Sequence, residues 1–192
     1  MTNTVGNVVA GRPKAAGGAY FAPADTTLPT DATTALAAGY LAVGFVGDAG
    51  VTESVNRTTQ TVKAWGGDTV KVLQTDFEVT YQLTLIEALG ANTLKAVNGS
   101  ANVSSTAKTS SHGTRQSIQV TSDPLPRQVW VFDVQDGDAM VRIVIPVGQI
   151  ITVGDVTYSD SAVVGYPVTI QAFPDDSGNN VYKYSDDGVK TS

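Results

Sequence analysis

Few residues of this 192-residue sequence could carry out covalent chemistry. The sequence has no cysteine, which excludes thiol catalysis, disulfide bonds and cysteine-ligated zinc. Its single histidine, His112, would have to serve any histidine-based metal site or serine hydrolase triad. Because Ser, Gly and Thr surround it over residues 110–114, we interpret it as a solvated loop side chain.

Two runs of acidic and amide side chains could bind calcium, which prefers such oxygen ligands. The first comprises Asp133, Asp136 and Asp138, and the second lies within residues 175–180. Neither run has the EF-hand spacing D-x-[DN]-x-[DN]-G with its closing Glu. Both runs are therefore interpreted as turns.

Glycoside hydrolysis needs two carboxyl groups, and their pairing cannot be judged from spacing alone. Nothing in the sequence groups two acids with sugar-stacking aromatic rings. Trp65 and Trp130 lie in predicted strands and are interpreted as core residues. The sequence therefore predicts no enzyme activity, no metal and no cofactor.

The charge of the chain is low and acidic. Charged residues make up 16%, against about 25% in typical domains. The net charge is −6, because residues 123–192 hold ten acids and four bases while residues 1–122 hold eight of each. Without a basic patch, specific nucleic-acid binding is not expected, since it depends on Lys and Arg replacing phosphate counterions.

No segment approaches the roughly 20 apolar residues of a membrane span. Residues 1–11 lack the basic start and apolar run of a secretory signal, so we expect a soluble protein made in the cytoplasm.

The clearest structural signal is strict alternation over residues 77–85, which predicts a strand with one buried and one wet face. Two hairpins are also predicted. Gly66-Gly67 joins residues 59–65 to 68–74, and Asp136-Gly137-Asp138 joins residues 127–135 to 139–147. From Ile86 the spacing becomes helical, with Ile86, Leu89, Leu94 and Val97 on one side, and it ends at Asn98-Gly99. Gly90 inside this segment is a weak helix position that costs about 1 kcal/mol relative to Ala. Further strands are predicted at residues 19–22, 40–46, 116–120, 149–153 and 166–173.

These elements predict a mainly β protein, an antiparallel β-sandwich or barrel with one flanking α-helix. Its expected organisation is an extended arm at 1–38, a sandwich domain at 39–174 and a C-terminal tail at 175–192. Within the domain, residues 47–58 are predicted as a loop and residues 86–98 as the helix.

Several blocks of the sequence carry a resemblance to a known family. They are G-Y-L-A-V-G-F-V-G-D-A-G-V-T-E-S at 39–54, T-V-K-A-W-G-G-D-T-V-K-V-L-Q-T-D-F-E-V-T-Y-Q-L-T-L-I-E at 61–87, and the V-W-V-F-D block at 129–133. The chain resembles the major tail tube proteins of siphoviruses, particularly those of actinobacterial phages. The resemblance covers most of the chain, and its most specific part is residues 64–87.

The resemblance implies a β-sandwich with a flanking helix, and a structural virion protein of the phage tail that is assembled in the host cytoplasm. Six copies would form a ring, and rings would stack into a hollow tube in which strands of each copy complete an inner β-barrel. Implied partners are further copies, a tape measure protein, and tail terminator and tail tip proteins. DNA would pass through the lumen during genome delivery without specific binding.

Candidate site residues follow from the strand pattern and the segments expected to leave the subunit. For the lumen they are Glu78, Thr80, Gln82 and Thr84, with an outer solvated face as the alternative. For contacts between subunits or rings they are Asp48, Val51, Glu53, Val55, Arg57, Tyr20 and Phe21.

Two other functions fit the same composition. One is a tail terminator or baseplate hub component on the same fold, which would occur in few copies. The other is a secreted β-sandwich binding module, although the sequence has neither a signal segment nor a row of exposed aromatic residues.

Overall fold

The computed structural model describes residues 8–14 and 17–190. Over that part of the chain the elements are strands with one α-helix and a short 3-10 turn at Ser100–Asn102. The helix α1 is Ala91–Asn98, and the strands are β1 (Ala19–Pro23), β2 (Leu41–Ala42), β3 (Thr52–Lys63), β4 (Thr69–Leu85), β5 (Val103–Thr106), β6 (Arg115–Ile118), β7 (Gln128–Asp136), β8 (Ala139–Val153), β9 (Tyr166–Phe173) and β10 (Tyr182–Asp186).

Eight of these strands form one antiparallel sheet in the order β2-β1-β7-β8-β9-β4-β3, with β10 also paired to β8. The first half of β8 lies between β7 and β10, and its second half pairs with β9. A register shift between Gln128 and Trp130 of β7 faces Pro146, which lacks the N–H that a regular ladder would need.

The main core forms between the two halves of this sheet. One half contains β1 and β7, and the other contains β9 and β4. Phe21, Trp130 and Phe132 from the first half pack with Tyr81 and Ile170 from the second, and all are nearly inaccessible to solvent. Since the strands of both halves bury one face in a shared core, the molecule is the predicted antiparallel sandwich with a flanking helix. Helix α1 contributes Ala96 and Val97 to the same core.

A second core lies on the outer face of β1, β7 and β8. Segment 24–40 covers this face with Leu28, Leu36 and Tyr40. Arg142, 1% exposed, holds the segment in place. Its Nε and Nη2 donate to the two carboxylate oxygens of Asp133 at 2.7 and 2.9 Å, and its Nη1 donates to the carbonyls of residues 31 and 34 at 3.0 and 2.8 Å.

Over the residues described, the segment predicted as an extended arm at 1–38 lies along its own domain. Strand β1 pairs with β7, and residues 12 and 14 hydrogen-bond to the end of β7. From residue 17 onward the segment is integral to its own domain. Residues 1–7, 15 and 16 of the predicted arm lie outside the described residues.

The tail predicted at 175–192 also differs, because residues 182–186 form β10 on the edge of β8. Its Tyr182 and Tyr184 pack on the second core. The strand predicted at 149–153 is the continuation of β8 past its bulge. Residues 191 and 192 lie outside the described residues.

The predicted helix start at Ile86 is wrong. The Ile86 amide donates to the carbonyl of Phe45, which keeps the chain extended past β4. Leu89, expected on the buried side of the helix, is 88% exposed. Gly90 is the N-cap residue with extended dihedrals, and the helix ends before Gly99 at a φ of 85°, as the Asn-Gly pair predicts.

The loop predicted at 47–58 is also wrong from residue 52 onward, because β3 begins there. Residues 52–58 of β3 are almost entirely exposed, so this part of the strand has no hydrophobic alternation by which it could be recognised from sequence. Its hairpin with β4 is confirmed, but the connection is the five residues 64–68 rather than Gly66-Gly67 alone. Trp65 was predicted as a core residue, yet it lies in this turn and is fully exposed.

Candidate assembly surfaces

The residues considered for catalysis or metal binding hold local structure. Asp133 pairs with Arg142, the Asp136 carboxylate accepts the Ala10 amide at 2.8 Å, and Nδ1 of His112 lies 2.7 Å from the next carbonyl in an exposed loop. Asp175 accepts hydrogen bonds from its own turn and from the Tyr182 hydroxyl, which lower the pKa of Asp175, the Tyr182 bond most strongly. Within residues 8–14 and 17–190, no group of three or more metal-ligating side chains occurs.

Helices of the described chain are too short and too polar to cross a membrane.

The four predicted lumen residues of β4 lie together on one face of the sheet. Their neighbours Val79, Tyr81, Leu83 and Leu85 point into the core, and the alternation predicted for residues 77–85 is confirmed. Directly paired residues of antiparallel strands point to the same side, so the register extends the face across β3 and β9. The paired residues are Thr52, Ser54 and Asn56 on β3, and Pro167, Thr169 and Gln171 on β9.

This polar face is made of hydroxyl and amide side chains with little charge. Glu78 is the charged member of the β4 set, and Gln82 is the most exposed of the four. Pro167 is the apolar member of the face, so the face offers no continuous apolar surface on which a second sheet of the same chain could pack. The face is therefore suited to contact water. Its position at a lumen stays a prediction.

The hairpin of β3 and β4 continues well beyond the sandwich. Strand β9 pairs with β4 only over residues 80–85, and from residue 75 back to 59 the two hairpin strands pair only with each other. From here on, the arm means residues 59–75 of this hairpin and not the N-terminal arm predicted at 1–38. Every residue in residues 59–75 is exposed. Five large apolar side chains of the arm are solvent-exposed: Val62, Trp65, Val70, Val72 and Leu73.

Such an arm is poorly stabilised by its own contacts, since an isolated two-stranded hairpin is marginal in water. A register shift at Thr58/Thr59 marks the point where it leaves the domain, and the Thr75 hydroxyl donates to the Thr58 carbonyl there at 3.2 Å. Arg57 stacks over the Phe77 ring at 4.2 Å and donates to Gln74 Oε1 at 3.0 Å. These contacts hold the base of the arm, whereas among the described residues the tip is held by backbone hydrogen bonds within its own turn.

The seven predicted contact residues fall at separate places. Asp48 and Val51 line a groove next to the start of β3, and Val55 and Arg57 lie toward the base of the arm. Glu53 forms an ion pair with Lys183 of β10 at 2.5 Å. Burial, and then the Glu53 charge, raise the pKa of the neighbouring Tyr81.

Tyr20 and Phe21, the remaining two candidates, lie within β1. Tyr20 is half-buried in the second core. Phe21 is 1% exposed in the main core, where its ring packs 5.7 Å from that of Trp130, so it has no surface to offer a neighbour and is corrected to a core residue.

The sequence predicted the hairpin over residues 59–74, but neither its projection beyond the sandwich nor the exposure of Trp65 at its tip. The available signal was a run of β-branched residues around the Gly-Gly turn that lacks the burial alternation seen at 77–85. Such a run indicates a hairpin that pairs without packing on its own domain.

Comparison with known proteins gives a structural similarity and a family match. No curated protein matches the sequence. A solved structure described as the tube-terminating cap of the anti-feeding prophage is similar with a TM-score of 0.46 at 9% identity, covering 97% of this chain and 100% of that one. A family model described as "Phage tail tube protein" matches residues 2–191, nearly the whole chain. The chain therefore belongs to the phage tail tube protein family and is a structural component of the phage tail.

Proposed function

We propose that this protein is the major tube-forming subunit of a siphovirus tail, and that it polymerises as stacked six-membered rings. The observation that carries the proposal is the arm, a projecting hairpin whose exposed apolar side chains need other copies to cover them. A protein present in many identical copies always has such a neighbour available.

The sheet edge supports the same proposal. Strand β3 is the edge strand beside β4, and its twelve residues leave one row of backbone groups unpaired in the described chain. Proteins usually blunt or cover an exposed edge of this length, because it invites pairing with other strands. A neighbouring subunit in a ring would cover the edge through a head-to-tail contact that closes on itself.

In such a ring the polar face would line the lumen. Glu78, Thr80, Gln82 and Thr84 would then present hydroxyl, amide and carboxylate groups to the channel. Repetition of Glu78 around the ring gives a circle of negative charge in a protein whose net charge is already −6. That field repels phosphate, so DNA would pass without being held.

The proposed partners are other copies, a tape measure protein inside the lumen, and terminator and tip proteins at the tube ends. Assembly would take place in the host cytoplasm, and the finished tube would serve genome ejection. The arm and the β3 edge supply the contacts between copies, while the polar face supplies the surface toward the tape measure protein and DNA.

The test is negative-stain electron microscopy of the purified protein after concentration and a day of incubation. Hollow tubes of uniform width, or stacks of six-fold rings, are the expected result. Quantitative mass spectrometry of the particle should place the protein among its most abundant components. Single rings that never stack, together with a few copies per particle, would contradict the tube role and indicate a terminator or hub.

A further inference from the structure

We propose that Trp65 at the tip of the arm docks into the apolar groove beside the start of β3 in the next copy along the tube. The inference rests on the proposed function and adds to it the residues that make the axial contact. Its partner is a second copy of this chain.

The arm presents Trp65 in a fixed way. The Ala64 amide donates to the carbonyl of Asp68 at 2.8 Å, and the Gly67 amide donates to that of Ala64 at 3.0 Å. Gly66 and Gly67 have φ values of 121° and 99°, which side-chain-bearing residues rarely adopt. The turn is therefore ordered, yet the indole is entirely exposed. An ordered and unburied Trp is typical of an anchor that fills a pocket in a partner.

The groove has the size and lining for one aromatic side chain. Its volume is about 270 Å³, slightly below the ~300 Å³ at which small-molecule pockets begin. Val46, Val51, Phe132, Val134 and Ile143 supply its apolar walls. Val46 and Ile143 are half-buried extensions of the main core, so among the described residues the groove is a place where that core is left open.

The groove and the tip lie at opposite ends of one strand. Val51 immediately precedes β3, and Trp65 follows its last residue by two. Twelve strand residues span ~40 Å at about 3.3 Å each, so Trp65 cannot reach the groove of its own copy. A second copy displaced by about that distance along the strand direction brings tip and groove together. The contact is heterologous and repeats without limit, as an axial contact in a tube must.

Charge complementarity supports this pairing. The charged residues lining the groove are Asp48 and Asp133, and Asp133 is already neutralised by Arg142. Beside Trp65, the arm carries Lys63 and Lys71 against a single acid, Asp68, in a chain that is otherwise acidic. Neither lysine forms an ion pair within the described chain. Docking would bring these free lysines toward Asp48.

A second apolar groove offers a matched control. It lies beside α1, has a volume of about 360 Å³ and includes Val120 and Val153 in its lining. Val153 belongs to β8, which is three strands across the sheet from β3, a lateral distance of about 14 Å. A copy displaced along β3 would not place its Trp65 in this groove.

The absence of cysteine from the chain makes disulfide trapping a direct test. Ala64→Cys next to Trp65 and Ala49→Cys between two groove residues are combined in one chain, which keeps Trp65 and Asp48 intact. Oxidation of the assembled protein should give a ladder of species at multiples of 19.9 kDa on a non-reducing gel. Ala64→Cys combined with Val120→Cys, an exposed residue of the control groove, should stay monomeric on the same gel.

Trp65→Ala provides an independent readout. Truncating a buried Trp anchor costs at least about 2 kcal/mol of binding free energy. The concentration needed for tubes should therefore rise roughly 30-fold or more. Trp65→Phe should recover part of this loss. Leu89→Ala, which truncates another exposed apolar side chain, should leave the threshold unchanged. Unaltered thermal unfolding of Trp65→Ala would show that its fold is intact.

The outcomes separate this inference from the proposed function. Tubes without the Ala64–Ala49 cysteine ladder, or with a ladder through Val120 instead, would overturn the docking and leave the tube role standing. A disulfide ladder from subunits that form linear strings but never hollow rings would support the docking and contradict the ring assembly. Absence of any self-association at high concentration would contradict both.

Discussion

The two halves of the β3–β4 hairpin differ in what stabilises them. Over residues 77–85, β4 pairs with strands on its flanks and buries alternate side chains in the core. Over the arm, the same two strands pair with each other alone and every side chain is exposed. One continuous strand thus passes from a part that folding stabilises to a part that lacks packing within the subunit.

This difference separates folding from assembly within one element. Residues that bury a side chain in the subunit should contribute to the stability of the monomer, while arm residues should contribute to contacts between copies. The residues between them, Arg57 and Phe77, join the two parts through a stacked side-chain pair. The same substitution should therefore have different consequences on either side of this junction.

Removing the arm should have the largest effect on assembly. Joining Thr58 to Asp76 through an Asn-Gly turn deletes residues 59–75 and keeps the paired base of the hairpin. We expect a monomer with unchanged thermal unfolding and no tubes at any accessible concentration, measured by calorimetry and by sedimentation velocity. Normal tubes from this variant would show that the arm is dispensable, and a lower melting temperature would show that it stabilises its own domain.

Breaking the buried ion pair should have the largest effect on monomer stability. Arg142→Ala leaves the Asp133 carboxylate buried without its partner and frees segment 24–40, so the free energy of unfolding should fall by about 3–5 kcal/mol. The matched control is Lys183→Ala, which removes an ion pair whose lysine side chain is 51% exposed and should cost at most about 1 kcal/mol. Urea titration measures both, and similar losses would contradict the assignment of Arg142 as the clamp.

The same Val→Ala substitution at one buried and one exposed position tests the difference between the domain and the arm. Val168 on β9 is 3% exposed and Val72 in the arm is 57% exposed. Val168→Ala shortens a buried side chain by two carbon atoms and should lower the free energy of unfolding by about 2 kcal/mol. Val72→Ala should change that free energy by less than about 0.5 kcal/mol while weakening tube formation. A monomer destabilised equally by both changes would mean that the arm packs on its own domain in solution.

The same division explains how much of the molecule could be predicted from sequence. Residues 77–85 and the Asp136-Gly137-Asp138 hairpin were predicted correctly because burial imposes alternation and tight turns need glycine. Residues 52–58 looked like a loop because their strand is stabilised by pairing with β4 rather than by burial. Gly90, read as a weak position inside the helix, is the N-cap residue that precedes it.

Long-range contacts were beyond sequence reasoning for a different reason. Arg142 and Asp133 are nine residues apart on paired strands, but the carbonyls that complete the clamp come from residues more than a hundred positions away. Nothing local marks segment 24–40 as the cover of the second core. The lumen candidates could be grouped on one face from their spacing along one strand. The groove could not be predicted in this way, because it is lined by residues of the N-terminal segment, of the loop before β3, and of β7 and β8.

The smallest effect on stability should come from lowering the pH until Asp31, in the turn that Arg142 holds, is protonated. Backbone and hydroxyl hydrogen bonds from Thr34, followed by those from Thr33, lower the pKa of Asp31 below its usual value of 3.8. A carboxyl with a lowered folded-state pKa contributes stability above its unfolded pKa and loses it as the pH falls through the folded value. Unfolding free energy should therefore decrease as the pH falls below about 4.

Asp31→Asn keeps a side-chain acceptor but cannot titrate, so its stability should decrease less than that of the parent over the same pH range. The arm-deleted protein should retain the Asp31 contribution, because the turn is held by contacts of the domain alone. Urea titrations of the three proteins between pH 5 and 2 measure this. An Asp31→Asn curve parallel to the parent would show that the turn stays closed when the carboxyl is protonated, and that Arg142 alone secures segment 24–40.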